Sequence, residues 1–219
     1  METKPILFSG PMVRALLDGR KTQTRRVLKP DGRPDGLEPN GEVCHYYGDH
    51  RLGACLEGST YVQRLPYAPG DLLWVRETWQ AHSWASDCVT IRYRAQEKTV
   101  GFTDQIEQIA YPEGNKNTFK FVAPKGPDHW RPSIHMPRWA SRLTLRVTDV
   151  RVQRVREISE GDARHEGIPN ARYAVRPDLS FRDLWDSLNA PRGYGWDANP
   201  WVAAYTFVVA HGNVDEVAT

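Results

Sequence analysis

Eight residues, Gly19-Arg20-Lys21-Thr22-Gln23-Thr24-Arg25-Arg26, hold one lysine, two threonine hydroxyls and three arginines. A lysine beside a hydroxyl can serve as base to a nucleophile, and arginines nearby suit a ligand bearing phosphate or carbonyl oxygens. The same run also reads as a solvated basic strand following a turn. Base chemistry at Lys21 requires that its amine, with an ordinary pKa of about 10.4, be lowered by burial or by neighbouring cations, which Arg20, Arg25 and Arg26 can supply.

The elements around this run are those that could hold it in place. Pro5 to Phe8 reads as a short buried strand. Ser9 or Gly10 can cap a helix with Pro11 in its first turn, where a missing N–H costs nothing. Met12, Val13, Leu16 and Leu17 share one face of that helix, and Gly19 fits the left-handed residue that ends it. Residues 22–29 follow as a strand, with Thr22, Thr24 and Arg26 on one side and Gln23, Arg25 and Val27 on the other. Lys21 sits at the hinge between helix and strand.

Further along, the turn Pro69-Gly70-Asp71 launches a strand from Leu72 to Trp79, and residues 88–94 alternate as another. Residues 142–155 alternate apolar and polar side chains as one long strand or two joined by a bulge near Asp149. Ser159 caps a short helix from Glu160 to Glu166, and Ser180 repeats the pattern before a helix over 181–188. A final strand spans 201–209, and the chain from His211 on is expected to fray. Seven or so strands with few short helices predict an α+β protein built on a mixed β-barrel. We expect a single domain over 1–210 with insertions at about 30–66 and 96–117 and a flexible tail over 211–219. Residues 118–122 read as a further short strand.

Composition bounds the function. With 40% apolar residues, eight tryptophans, 17 glycines and 16 prolines, the 219-residue chain can build a core rich in turns. A formal net charge of +2 does not indicate a general polyanion binder, but basic residues outnumber acidic ones between Lys4 and Arg33. No apolar run approaches the roughly 18 residues of a membrane span. Cys44, Cys55 and Cys88 form no disulfide pattern, so a reduced, cytoplasmic protein is expected. Cys44, His45, His50 and Cys55 are too loosely spaced for a zinc site, and no metal or other cofactor is expected.

Several pieces together resemble the ASCH domain family, which has a PUA-like β-barrel fold. They are the Gly19-Arg20-Lys21-Thr22-x-Thr24-x-Arg26 opening, the Gly70-Asp71 turn feeding Leu73-Trp74-Val75-Arg76, the strand 143–155 with its following helix, and the closing strand 202–209. The runs Arg131-Pro132-Ser133-Ile134-His135-Met136-Pro137-Arg138-Trp139-Ala140 and Gly195-Trp196-Asp197-Ala198-Asn199-Pro200-Trp201 are similar to larger phage- and prophage-type members.

The resemblance implies a ligand that is a nucleoside, nucleotide or RNA. A small bacterial member hydrolyses N4-acetylcytidine with a lysine, a threonine three residues later and a downstream glutamate. Carried over, these fall on Lys21 as base, Thr24 as nucleophile and Glu166 as acid for the leaving nitrogen, with Glu160 and Glu157 as neighbouring alternatives to Glu166. Substrate contacts are then expected from Arg20, Arg26, Arg76, Glu77, His135 and Arg138. Trp74, Trp139 or Trp196 could stack on a base, a contact worth roughly 1–3 kcal/mol. Two other functions use the same basic pocket: a non-catalytic RNA- or modified-base-binding module, and a metal-independent ribonuclease.

Overall fold

A computed structural model describes residues 2–28, 43–47, 51–56, 59–84, 88–96, 107–110, 130–168 and 176–218; residues 43–47, 51–56, 59–64, 82–84, 88–89, 96 and 107–110 are described by their backbone alone. In chain order the elements are β1 (Thr3–Leu7), α1 (Gly10–Leu17), β2 (Gln23–Val27), β3 (Val43–Tyr47), β4 (Arg51–Leu56), β5 (Ser59–Arg64) and β6 (Leu72–Arg76). They continue with β7 (Trp79–Trp84), β8 (Cys88–Tyr93), β9 (Glu107–Ala110), β10 (Leu143–Arg154), α2 (Glu160–His165), α3 (Pro177–Asn189), β11 (Trp201–His211) and α4 (Val214–Val217). The class is α+β. A five-stranded mixed sheet has the order β1-β6-β10-β11-β2, with β1 parallel to β6 and β2 antiparallel to β11. Two three-stranded antiparallel sheets, β3-β4-β5 and β7-β8-β9, complete the described strands.

The chain divides into two compact units that interleave in sequence. The first comprises Met1–Glu2, Asp18–Asp71 and Arg146–Val208; the second comprises Thr3–Leu17, Leu72–Leu145 and Val209–Thr219.

In the first unit, Gly19 has the left-handed conformation expected of it, φ 68°, and turns the chain from α1 toward β2. The Gly70-Asp71 turn has the same logic. Gly70 sits at φ 91°, and the Asp71 carboxylate accepts from the Ala68 N–H at 3.1 Å. Helix α2 opens on Ser159, whose Oγ accepts the Asp162 N–H at 3.0 Å, so the cap read from the sequence is present. Helix α3 begins four residues earlier than Phe181. Pro177 takes a first-turn position that needs no N–H, and Ser180 lies inside the helix instead of capping it. Its Phe181, Trp185 and Asn189 recur every fourth residue and are buried, the two rings packing with Val155, Ile158, Ala163 and Val202. The region read as a loop insertion at 30–66 contains β3, β4 and β5; without clear periodicity in the sequence, these backbone pairings left no signal there.

In the second unit, Trp79, Ala81, Ile91, Tyr93, Met136 and Ala140 form one hydrophobic cluster of the core. The expected strand over 72–79 is instead β6 and the start of β7, separated at Glu77 and Thr78. The Glu77 N–H turns to the Met136 sulfur at 3.2 Å, and the Thr78 carbonyl accepts from the Arg94 N–H at 3.0 Å. The stretch from His211 on, expected to fray, contains α4. Asn213 caps it, and its side-chain amide donates to the carbonyls of Arg138, Trp139 and Ser141 at 2.9, 3.2 and 3.0 Å. The insertion expected at about 96–117 includes β9; the strand expected over 118–122 and the side chains of Cys44, His45, His50 and Cys55 lie outside the described residues. No described helix is long and apolar enough to cross a membrane.

Candidate functional site

The segment after Gly19 is fastened on both sides. Thr22 donates its N–H to the His165 carbonyl at 2.8 Å and accepts at its own carbonyl from Phe207 at 2.9 Å, while Lys21 and Glu166 form an isolated antiparallel bridge. The end of α2 is thereby held against the start of β2, and Glu166, the C-cap of α2, is brought to Lys21.

Lys21 is completely buried. Its Nζ donates to Glu166 Oε2 at 2.7 Å, to the Glu166 carbonyl at 2.9 Å and to the Gln23 carbonyl at 2.9 Å. Three acceptors match the three donors of an ammonium. The Gln23 carbonyl belongs to the peptide bond that leads into Thr24, so the ammonium meets the chain at its backbone there. Burial pushes the Lys21 amine below its ordinary 10.5, an effect that the Glu166 carboxylate opposes and the charges of Arg26 and Arg25 reinforce.

Glu166 is shared. Its second oxygen, Oε1, accepts from Arg25 Nη1 at 3.1 Å; the same nitrogen donates to Gln23 Oε1 at 2.7 Å. Arg25 Nη2 lies 3.2 Å from Asp162 Oδ2, and the other Asp162 oxygen accepts from Arg151 Nη2 at 2.9 Å. The Arg25 guanidinium also stands over the Phe181 ring, 5.7 Å from its centroid. A chain of alternating charge therefore runs from half-exposed Arg151 through Asp162, Arg25 and Glu166 to Lys21.

Successive strand side chains face opposite ways, so Thr24 and Arg26 share the other face of β2. Thr24 is buried and lies cross-strand from Tyr205; Arg26 lies cross-strand from Ala203. The Tyr67 ring meets Tyr205 edge-on at 5.1 Å. Burial lowers the affinity of Arg26 for its proton, against the influence of Tyr67, Glu166 and Tyr205, and burial raises the Tyr67 hydroxyl above its ordinary 10.0 despite Arg26.

The alternatives to Glu166 are occupied elsewhere. Glu160 is 3.5 Å from Arg164 on the exposed side of α2, and Glu157 accepts from the Arg154 N–H at 3.0 Å. Arg20 is at the surface, bonded to Asp18 at 2.8 Å and to the Gly167 carbonyl at 3.0 Å. Trp196 packs edge-on to Phe181 at 6.3 Å.

The other six expected substrate contacts belong to the second unit. Arg76 lies over the Trp74 ring at 5.2 Å and donates to the Ile134 carbonyl. Buried Glu77 takes a two-pronged pair from Arg142, at 2.8 and 3.0 Å, with the Arg142 guanidinium 4.0 Å from the Tyr93 ring centroid. His135 is exposed, Arg138 pairs with Asp215 and donates to Thr3 Oγ1 at 2.8 Å, and Trp139 sits edge-on to Trp79 at 6.3 Å.

Gln23, Asp162 and Arg151, with Arg25 as more than a neighbouring charge, are the site residues that the sequence reading did not single out. A signal for them exists. Gln23 and Arg25 alternate on one strand face, while Asp162 and Glu166 are spaced i,i+4 and so share a face over α2 and its cap.

No family model matches the chain, and no curated protein matches it. Among solved structures the chain is similar to the crystal structure of protein EF3133 from Enterococcus faecalis V583, of the family DUF984, with 12% identity, 98% of this chain and 83% of that chain covered, and a TM-score of 0.41.

Proposed function

We propose that the chain is a PUA-like protein of the ASCH type that removes the acyl group from an N4-acylated cytidine or a related modified nucleoside. The observation that carries this reading is the fully buried Lys21 ammonium, held by Glu166 against the peptide that leads into Thr24. Hydrolysis of such an amide needs a nucleophile, a base for its proton and an acid for the leaving amine. For this reaction the Thr24 hydroxyl, on the face of β2 opposite Gln23 and Arg25, must reach the Lys21 amine past the Gln23–Thr24 peptide; neutral Lys21, which burial favours, then takes its proton as Thr24 Oγ bonds to the acyl carbon. The C–N4 bond then breaks as the nitrogen receives a proton from the Lys21–Glu166 pair, with Glu166 as the acid. Water next cleaves the acyl–threonine ester, releasing the carboxylic acid and restoring Thr24. Net, one amide and one water give one amine and one acid.

A second reading has its own observation. Thr24, Arg26, Tyr67 and Tyr205 place a cation and two phenol rings together, which suits retention of a base without turnover. One experiment decides. Purified protein is incubated with N4-acetylcytidine, and cytidine is followed by chromatography. Turnover that Lys21→Ala and Thr24→Val abolish supports the deacylase. No turnover, or full turnover in Lys21→Ala, overturns it; saturable nucleoside binding without turnover favours the binding module.

A further inference from the structure

The charge chain that ends on Lys21 contains a cation placed to do more than neutralise it. Arg25 is buried in a strand and makes three distinct polar contacts with one guanidinium, to Gln23 Oε1, Glu166 Oε1 and Asp162 Oδ2. Lys21 and Arg25 hold opposite oxygens of one carboxylate, at 2.7 and 3.1 Å. A planar guanidinium fixed at several points sets the direction of its partner in a way that a flexible ammonium does not. Asp162, in turn, offsets part of the Arg25 charge and is itself held by Arg151.

We infer that Arg25 is a positioning residue acting through Glu166: it fixes the carboxylate so that Oε2 meets Lys21, and its charge, moderated by Asp162, adds to the influences that make Lys21 give up its proton. The inference deepens the deacylase reading and rests on it for the catalytic meaning of Lys21, but the electrostatic coupling stands on geometry alone. Among the described residues, the charged and titratable groups around Lys21 are Asp162 from α2 and Glu166 from its cap, Arg25 and Arg26 from β2, Arg151 from β10, and Tyr67, Tyr205 and Arg192 beside Arg26. Both effects of removing Arg25 have one sign. A cation that disfavours the ammonium is lost, and Glu166 is left to Lys21 alone, so Lys21 holds its proton more tightly. Removing the Asp162 charge has the opposite sign, because Arg25 is then less offset.

The test titrates the Lys21 side chain by its 13Cε chemical shift in protein labelled at lysine, the resonance being identified by its loss in Lys21→Arg. Arg25→Gln moves the Lys21 midpoint to higher pH by about one pH unit or more. Asp162→Asn moves it to lower pH, and Asp197→Asn, at a site whose side chain is 86% exposed, leaves it in place. Arg25→Lys keeps the charge and holds the midpoint near the parent value while kcat for N4-acetylcytidine falls, because the planar group that ties Glu166 to Gln23 and Asp162 is gone. An unmoved or lowered midpoint in Arg25→Gln, a raised one in Asp162→Asn, or an Arg25→Lys midpoint equal to that of Arg25→Gln overturns the inference. Should Arg25→Gln fail to fold, the Asp162→Asn and Arg25→Lys midpoints decide. The titration needs no turnover. Midpoints that move as stated in a protein inert to N4-acetylcytidine support the role of Arg25 and overturn only the deacylase reading.

Discussion

Glu166→Gln isolates what the carboxylate does for the buried cations. Lys21 and the Arg25 side chain are both 0% exposed, so the substitution leaves two positive charges without the anion between them. Breaking a buried pair on one side typically costs about 3–5 kcal/mol. Lys21 has an escape that Arg25 lacks, since it can shed its proton. The Lys21 part of the penalty therefore cannot exceed the cost of deprotonating an ordinary lysine at the working pH. With an unfolded-state value of 10.5 and about 1.36 kcal/mol per pH unit, that ceiling is about 5 kcal/mol at pH 7 and about 2 kcal/mol at pH 9.

The sign of the pH dependence follows from proton counting. In the variant the unfolded chain binds more protons than the folded one between the lowered Lys21 value and 10.5, so its stability rises with pH across that window. We expect urea unfolding, followed by tryptophan fluorescence, to show a loss of about 3–5 kcal/mol at pH 7 that shrinks toward pH 9. At pH 7 this corresponds to a fall in Tm of roughly 6–20 °C for a chain of this size. The double variant Lys21→Met, Glu166→Gln should recover more than half of the loss, since no lysine charge then remains to be paired. A penalty below about 1 kcal/mol, or one that does not change between pH 7 and 9, would refute the pairing argument.

Three further outcomes are expected. Ser159→Ala removes the oxygen that accepts the Asp162 N–H and should cost about 1 kcal/mol in urea unfolding as the six-residue helix carrying Asp162 loosens. Arg142→Met strands the buried Glu77 carboxylate and should cost about 3–5 kcal/mol, with Arg142→Lys a poor substitute because it cannot reproduce the fork. For Asp162, burial works to raise the carboxyl, but the bond from Arg151 and the charge of Arg25 outweigh it and leave the group below its ordinary 3.8. Its contribution is present above 3.8 and is lost as pH falls through the lower folded value, so Asp162→Asn should flatten the acid limb of a stability–pH curve below about pH 4.

The sequence made the local punctuation plain. Gly19, Ser159 and the Gly70-Asp71 turn were readable because each answers a backbone demand that few residue types can meet. The long alternating run matches β10 nearly to the residue, although Thr144, on the polar side of the alternation, is buried along with Leu143, Leu145 and Val147. Lys21 and Glu166 could be paired through the family resemblance, although 145 residues separate them. What stayed hidden depended on contacts between distant parts. The break between β6 and β7 follows from Glu77 turning to Arg142 and Met136, and no local propensity at Glu77-Thr78 announces it. Arg25 was legible as a charge but not as a clamp, because its role is defined by Asp162 and Glu166 on a helix far along the chain. The early start of α3 was missed because Ser180 offered an apparent cap inside a helix that Pro177 had already begun.

The complete enclosure of Lys21 also shields it from external amine-reactive reagents. Amine-reactive acylating reagents attack only the neutral, accessible amine, and here Nζ is directed at three oxygens with no exposed surface. Modification of Lys21 must wait for the end of α2 to part from the start of β2, while Lys4, in a different element, is governed by its own surroundings. The rate at which a reagent captures Lys21 is thus a clock for that local opening, read at one atom by mass spectrometry without any substrate or assay of function.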